Sequence, residues 1–229
     1  MACEFCATGK QGFSRNLTVG EIVEQIILAE KDLESRISNV VVMGQGEPFL
    51  NFENLESALE IINNNKLLGI GARKITVSTC GIIPGINKYA KIDKQFGLAI
   101  SLHSAIQETR DDLMPGVTNY KLEQIKDAIN DYIKTTNRRP TFEYLMLKDT
   151  NDTEEHLNAL LDYCKGMLCH VNLIAYNKTE GDKYSASSKN TIDTWIKTLN
   201  SNGIEATLRQ SKGADIDAAC GQLINKLNK

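Results

Sequence analysis

Short apolar runs alternate along this chain with stretches in which apolar residues recur every three or four positions. The short runs, rich in β-branched residues, predict strands, and the periodic stretches predict amphipathic helices. About five runs predict strands, each followed by a segment suited to a helix. These runs lie in the segments NVVVMG, KITVSTC, FGLAISLH, RPTFEYLML and HVNLIAYN.

The clearest predicted helix lies in NLTVGEIVEQIILAEKDL, where Thr18 precedes Glu21 by three residues and so forms a capping box. Ile22, Ile26 and Leu33 are expected on its buried face. Three further apolar stripes indicate helices in the same way. They are Leu55, Ala58, Leu59 and Ile62; Leu157, Leu160, Leu161 and Cys164; and Ile192, Trp195, Ile196 and Leu199.

Continuous apolar runs joined by helices predict an α/β fold whose parallel sheet is apolar on both faces and covered by helices. We expect a partial (β/α) barrel, with a doubly wound open sheet as the alternative. No internal repeat, low-complexity tract or linker divides the sequence, so residues 1–229 are expected to form a single domain.

The composition predicts no overall electrostatic attraction between this chain and polyanions, because 29 acidic and 26 basic residues give a net charge of −3. Any contact with RNA must therefore be local. No apolar run reaches the roughly 20 residues of a membrane span, and the first residues lack a secretory signal, so a cytoplasmic location is expected. Six cysteines in such a chain indicate ligands, catalysts or core thiols, and we assign Cys164 and Cys169 to the core.

Polar and glycine residues cluster where the apolar runs end, and in a parallel barrel these ends share one face. Glu47, held between a glycine and a proline, is well placed to accept hydrogen bonds from an ammonium group. Each feature also has a simpler explanation, since GQGEP is compatible with a plain turn, His103 with a core histidine and Ser101 with a strand-end cap. The candidates are Gly46, Glu47, Ser78, Ser101, Leu102, His103 and Asn177.

Cys3 and Cys6 stand three positions apart near the start of the chain. A zinc site would need a second cysteine or histidine pair at ligand spacing, and the sequence offers none. A redox-active C-x-x-C motif would follow a strand and begin a helix, whereas this pair precedes every predicted strand. Both interpretations are disfavoured.

The motifs together resemble the radical SAM family, and more closely its adenine C2 methyltransferases, which act on ribosomal and transfer RNA. MACEFCATGKQGF resembles the loop that binds the iron–sulfur cluster. The motifs differ in specificity: GEP is common to radical SAM enzymes generally, whereas DIDAACGQL is specific to this branch. The resemblance runs from the first residue almost to the last. Its further motifs are MGQGEP, STCGIIP, SLH, LMP, NLIAYN and DIDAACGQL.

The resemblance implies a radical SAM type of TIM-like barrel that lacks its first strand, because the cluster motif C-x-x-x-C-x-x-C would place its first cysteine before residue 1. The family's N-terminal accessory domain and second catalytic cysteine are also missing. We therefore expect a fragment or a misplaced start, inactive by itself. The near-neutral charge fits this, although basic residues remain at Lys10, Arg15, Arg73, Lys74, Arg138, Arg139 and Lys212.

By the same resemblance, Cys3 and Cys6 are the second and third ligands of a [4Fe–4S] cluster, and Gly46 and Glu47 contact the amino group of S-adenosyl-L-methionine (SAM). Cys220 matches the methyl-carrying cysteine. In the family, one SAM methylates this cysteine, and a radical from a second SAM activates the methyl group for addition to adenine. The remaining SAM contacts would be Ser78, Ser101, Leu102, His103 and Asn177.

The implied substrates are 23S rRNA and tRNA, and the implied electron donor is a flavodoxin. A monomer without membrane association is expected. Three alternatives stay open: a non-catalytic SAM- or RNA-binding remnant, an enzyme that methylates C8 of adenine and confers antibiotic resistance, and a radical SAM enzyme with another substrate. DIDAACGQL argues against the last of these.

Overall fold

A computed structural model describes residues 1–177, 183–209 and 222–223. Six parallel strands form one sheet, and their order in the sheet follows their order in the chain. Among these residues the sheet stays open, since the first and last strands do not pair with each other. The strands are β1 (Val40–Val42), β2 (Ile75–Thr79), β3 (Gly97–Ser101), β4 (Thr141–Met146), β5 (His170–Ala175) and β6 (Glu205–Arg209).

This topology confirms the predicted α/β fold and partial barrel, with helices between successive strands as parallel pairing requires. Five strands match the predicted runs, and the sixth was missed because EATLR is short and largely polar. A short helix after Cys6 was also not predicted. The helices are α1 (Ala7–Gln11), α2 (Val19–Leu33), α3 (Phe52–Asn63), α4 (Ile83–Tyr89), α5 (Gln107–Leu113), α6 (Leu122–Thr136), α7 (Glu154–Cys164) and α8 (Lys189–Ser201).

The prediction that the strands are apolar on both faces fits β3 and β4 in part, where Ala99 and Leu145 are buried, but it is wrong for a row of polar residues across the sheet. Burial alternates along β2, where Val77 is fully buried and Ser78 half-buried. The paired residues Ser101, Glu143 and Asn172 share one row, which Thr207 continues on the last strand. Because side chains alternate with period two, these polar residues all lie on one face of the sheet. We call it the polar face; the opposite face packs into the core.

Helix α2 begins as predicted, with Thr18 and Glu21 forming a complete capping box. Its buried face is shifted from the prediction. Ile26 is buried together with Val23, whereas Leu33, the last residue of the helix, is 61% exposed.

The predicted core thiols are confirmed, since Cys164 and Cys169 are both buried. The stripes of α3 and α8 also pack into the core through residues such as Leu59 and Trp195. Within the described ranges, no helix combines the length and apolarity that crossing a membrane requires.

Candidate active site at the carboxyl ends of the strands

The carboxyl ends of β1, β2 and β3 meet at one edge of the sheet, and Glu47 connects two of them. Its Oε2 accepts a hydrogen bond of 2.7 Å from the backbone N–H of Cys80, which follows β2. Its Oε1 accepts one of 3.0 Å from the N–H of Phe49 and so caps the short 3-10 turn at Pro48–Asn51. Both carboxylate oxygens are thus fixed. The Cys80 side chain also hydrogen-bonds this carboxylate, which still has a lone pair for a ligand because a carboxylate has about four acceptor sites.

Open space adjoins this carboxylate. A Cβ atom added at Gly44 or Gly46 would meet nothing within 4 Å, and Gly46 has a φ of +87° that favours glycine. The loop after β1 therefore exposes its backbone beside Glu47, as a loop that contacts a ligand through main-chain groups must.

The segment Met1–Cys6 lies across the same edge. Its backbone is held by two main-chain hydrogen bonds of 3.1 Å, from Glu4 N–H to the carbonyl of Leu113 and from Gly116 N–H to the carbonyl of Met1. The ring of Phe5 meets the ring of His103 edge-on, with centroids 4.8 Å apart. This docking places the loop that carries the two cysteines over the ends of the strands.

Cys3 and Cys6 are half-buried and close enough to interact electrostatically. Burial, and then the neighbouring Cys6, raise the pKa of the Cys3 thiol to about 11. Burial and the charge of Glu47 also raise the pKa of Cys80 well above its ordinary value, and Cys3 contributes to that shift. Cys3, Cys6, Glu47 and Cys80 therefore form one neighbourhood.

The two expected cofactors fit this neighbourhood differently. SAM finds open glycine backbone, an oriented carboxylate and polar side chains on the adjacent polar face. An iron–sulfur cluster finds thiols, the correct ligand type, but in the described residues no three metal-ligating groups come together. Two thiolates are fewer than such a cluster requires, so the described residues do not complete its site.

His103 lies deeper than a ligand-contacting residue would. It is 6% exposed, its Nδ1 accepts a hydrogen bond of 3.1 Å from the N–H of Leu145, and burial followed by the charge of Arg110 lowers its pKa to about 3. Asn151 donates to its carbonyl at 2.7 Å. This geometry favours the core histidine among the two interpretations open from the sequence.

The other predicted SAM contacts differ in position. Ser78 and Ser101 lie half-buried on the polar face, and Asn177 follows the end of β5. Leu102 is fully buried, and its N–H donates to the carbonyl of Glu143 at 3.0 Å, so its side chain belongs to the core. Cys220 lies outside the described residues.

Two buried residues were missed from the sequence. Arg110 is fully buried and donates to the carbonyl of Cys80 at 2.6 Å, while its Nε and Nη1 find no partner among the described residues. Asn151 is fully buried and bonds three main-chain groups around His103, those of residues 103, 145 and 147. Arg110 stands among charged residues in QETRDD, a pattern typical of an exposed helix. The NDT segment around Asn151 resembles an ordinary turn.

Known proteins resemble this chain over nearly its whole length. A "Probable dual-specificity RNA methyltransferase RlmN" from Clostridium perfringens (strain SM101 / Type A) is 47% identical over 223 residues, which are 97% of this chain and 64% of that protein. A protein of the same name from Clostridioides difficile (strain 630) is 47% identical over 226 residues, covering 99% of this chain and 66% of that protein. The chain thus spans just under two thirds of the length of these relatives.

Solved structures agree. A radical SAM methyltransferase from Sphaerobacter thermophilus superposes with a TM-score of 0.93 and 39% identity over 96% of this chain and 66% of that one. Streptococcus suis SuiB bound to S-adenosylmethionine shares only the fold, with a TM-score of 0.67 and 15% identity over 92% of this chain and 48% of its own. The family profile described as "Radical SAM superfamily" matches residues 1–164. With this match over more than half of its length, and with the strand-end site in place, the chain belongs to the radical SAM superfamily.

Proposed function

We propose that this chain forms the catalytic core of a methyltransferase that places a methyl group on C2 of an adenosine in 23S rRNA, tRNA or both. The observation that carries the proposal is the strand-end site, where Glu47, open glycine backbone and the docked Cys3–Cys6 loop share one edge of the sheet. The relatives named RNA methyltransferases support it, because their identity of 47% extends over 97% of this chain.

Radical SAM enzymes use a [4Fe–4S] cluster and SAM, which together supply a radical. We assign Cys3 and Cys6 as two of the cluster ligands and the Glu47 carboxylate as the acceptor for the SAM ammonium group. Gly46 leaves room for the ligand beside that carboxylate. Ser78 and Ser101 are assigned to polar SAM groups because they line the polar face next to the site, and Asn177 because it follows β5 at the same edge.

Two of the expected contacts act indirectly in this proposal. The side chains of Leu102 and His103 are buried, so they shape the strand end rather than touch SAM. The N–H groups of both residues point to the carbonyl of Glu143, at 3.0 and 3.3 Å, which fixes the turn after β3.

Cys220 is assigned as the methyl carrier by its place in DIDAACGQL. C2 of adenine is electrophilic, so a methyl cation donor is the wrong reagent and a carbon-centred radical is the right one. A thiol methylated by SAM provides the methyl group for that radical. The assignment rests on the motif alone, since Cys220 lies outside the described residues.

The partners follow from the same proposal. RNA is the substrate, a carrier of the flavodoxin type delivers the electron, and the protein works as a monomer in the cytoplasm, where its substrates are. One experiment distinguishes the proposed C2 reaction from the C8-directed reaction and from a non-catalytic remnant.

A chimera tests the function. This chain replaces the matching 223 residues of the Clostridium perfringens relative, so that the relative supplies all the remaining sequence. Cells that lack other adenine C2 methyltransferases express the chimera, and mass spectrometry quantifies methyladenosines in digested rRNA and tRNA. We expect 2-methyladenosine in at least one RNA, and one added methyl group on Cys220.

Two variants sharpen the result. Cys220→Ala should abolish 2-methyladenosine with SAM binding nearly unchanged, whereas Cys169→Ala, at a buried thiol before β5, should retain the product. Appearance of 8-methyladenosine would assign the C8 reaction instead. A folded chimera that binds SAM and yields neither product, beside an active parent, would refute the proposed activity.

A further inference from the structure

A groove lies at the amino-terminal edge of the sheet, opposite the strand-end site. It has a volume of about 1390 Å³ and is lined by three segments, residues 71–74, 90–95 and 135–139, which precede β2, β3 and β4. Strands of five or six residues separate this edge from the candidate active site, a distance of about 20 Å. We call it the basic groove.

The groove concentrates positive charge. Its lining has six basic side chains and one acidic side chain, Asp93, within a chain whose net charge is −3. Screening at physiological salt acts over about 8 Å, so a ligand in the groove experiences this local charge rather than the net charge of the chain. The basic residues are Arg73, Lys74, Lys91, Lys94, Arg138 and Arg139.

Three of these six cations have partners within the protein: Arg139 forms an ion pair with Glu205, and Arg138 and Arg73 are held by hydrogen bonds. Arg138 donates from Nη1 to the carbonyls of Lys94, at 2.8 Å, and Phe96, and its guanidinium lies 5.4 Å from the ring of Tyr132. Arg73 donates from Nε to Gln95 at 2.5 Å. Both guanidiniums are thus oriented by bonds that leave part of their N–H groups for a ligand.

The lysines of the groove are available. Lys74, Lys91 and Lys94 are exposed, and none of them forms an ion pair within the described ranges. None of these three lysines lies in the last turn of an α-helix. Lys88 and Lys134 already occupy the last turns of α4 and α6, where a cation stabilises a helix.

We propose that the basic groove is a second RNA-binding surface, which holds the phosphate backbone of the substrate RNA at a point away from the nucleotide that is methylated. The proposal rests on the proposed function for the choice of RNA. Since about 20 Å separates the groove from the strand-end site, it contacts a different part of the folded RNA than the target nucleotide.

Two features favour RNA over other anionic partners. The groove is larger than the 300–1,000 Å³ typical of small-molecule pockets. None of the described residues that line it is aromatic, whereas protein interfaces are enriched in aromatic residues and depleted in lysine. Lysine-rich, open grooves instead suit a sugar–phosphate backbone, which is bound through charge.

Two triple variants with equal net charge test the groove. The first combines Lys74→Ala, Lys91→Ala and Lys94→Ala. The matched control combines Lys31→Ala, Lys66→Ala and Lys197→Ala at exposed lysines outside the groove. Fluorescence anisotropy measures binding of a labelled tRNA transcript from 50 to 300 mM KCl, without SAM, so that a failure of methylation cannot affect the result.

The groove variant should reduce the slope of log K against log[KCl] by about 2, since each lost phosphate contact contributes about 0.7. Its affinity should fall about a hundredfold at 0.1 M salt, and the control should bind as the unchanged chain does. Acetylation of surface lysines should show RNA protecting the three groove lysines and not the control lysines.

Equal loss in both triple variants would overturn the proposal, because net charge alone would then explain binding. Unchanged affinity and slope in the groove variant, with no protection of its lysines, would also overturn it. Protection by polyglutamate as strong as by RNA, at the same concentration of charge, would assign the groove to an acidic protein. Equal urea midpoints for all three proteins establish that the comparison is between folded chains.

Discussion

The burial of His103 beside the site predicts how far the free energy of unfolding decreases at acidic pH. His103 is held neutral in the fold, with a pKa lowered to about 3 by burial and then by Arg110. In the unfolded chain it titrates near pH 6.5. Between these values the unfolded chain binds one more proton than the folded chain, so stability is complete above pH 6.5 and decreases as the pH falls towards 3.

The size of the effect follows from these two pKa values. Lowering the pH from 7 to 5 should cost about 2 kcal/mol through this residue alone. His103→Asn removes the titration and retains an acceptor for the N–H of Leu145. Asparagine also tolerates the left-handed backbone at this position, where φ is +56°.

Urea unfolding at pH 7, 6 and 5 measures the effect, with the single tryptophan, buried Trp195, as the fluorescent probe. The variant should lose about 2 kcal/mol less than the unchanged chain between pH 7 and 5. His156 and His170 titrate in both proteins, so their contributions cancel in the difference. The same pH dependence in both proteins would refute the conclusion that burial keeps His103 neutral.

Three further substitutions have defined outcomes. Glu47→Gln should weaken SAM binding about ten- to a hundredfold by calorimetry, since charge-assisted hydrogen bonds contribute about 1.5–3 kcal/mol, and Glu53→Gln on the exposed face of α3 should not. Equal SAM affinity for Glu47→Gln and the unchanged chain would support the alternative interpretation of GQGEP as a plain turn. Gly85→Ala should destabilise the fold by about 1–3 kcal/mol in urea, because the new Cβ would overlap Phe49. Gly20→Ala should stabilise the fold by up to about 1 kcal/mol, because space is open around this position of α2. A Gly85→Ala variant more stable than the Gly20→Ala variant would contradict the described packing of Gly85 against Phe49.

The sequence predicted the elements whose signals are local. The capping box at Thr18 and the apolar run of β2 each depend on neighbouring residues, and both appear where expected. The polar face was not predicted, because Ser78 and Ser101 were assigned to the ends of apolar runs and Glu143 is a single polar residue within RPTFEYLML, although their period of two was visible.

The site residues also fall into those with a local signal in the sequence and those without one. Glu47 was found because glycine and proline frame it, and its two backbone hydrogen bonds agree with the rigidity expected there. Arg110 and Asn151 were missed because their burial depends on segments distant in the chain, the loop after β2 for one and the turn after β3 for the other. Such contacts carry no local signature.

The two hydrogen bonds of Glu47 have a consequence for ligand recognition. They make the carboxylate part of the backbone framework that joins β1 and β2, so its orientation is set before any ligand arrives. A preorganised acceptor loses little side-chain entropy on binding, and more of the charge-assisted interaction therefore appears as affinity. In the proposed role of Glu47 as an ammonium acceptor, its fixed carboxylate favours a ligand whose ammonium group approaches in the direction that the two backbone hydrogen bonds leave open.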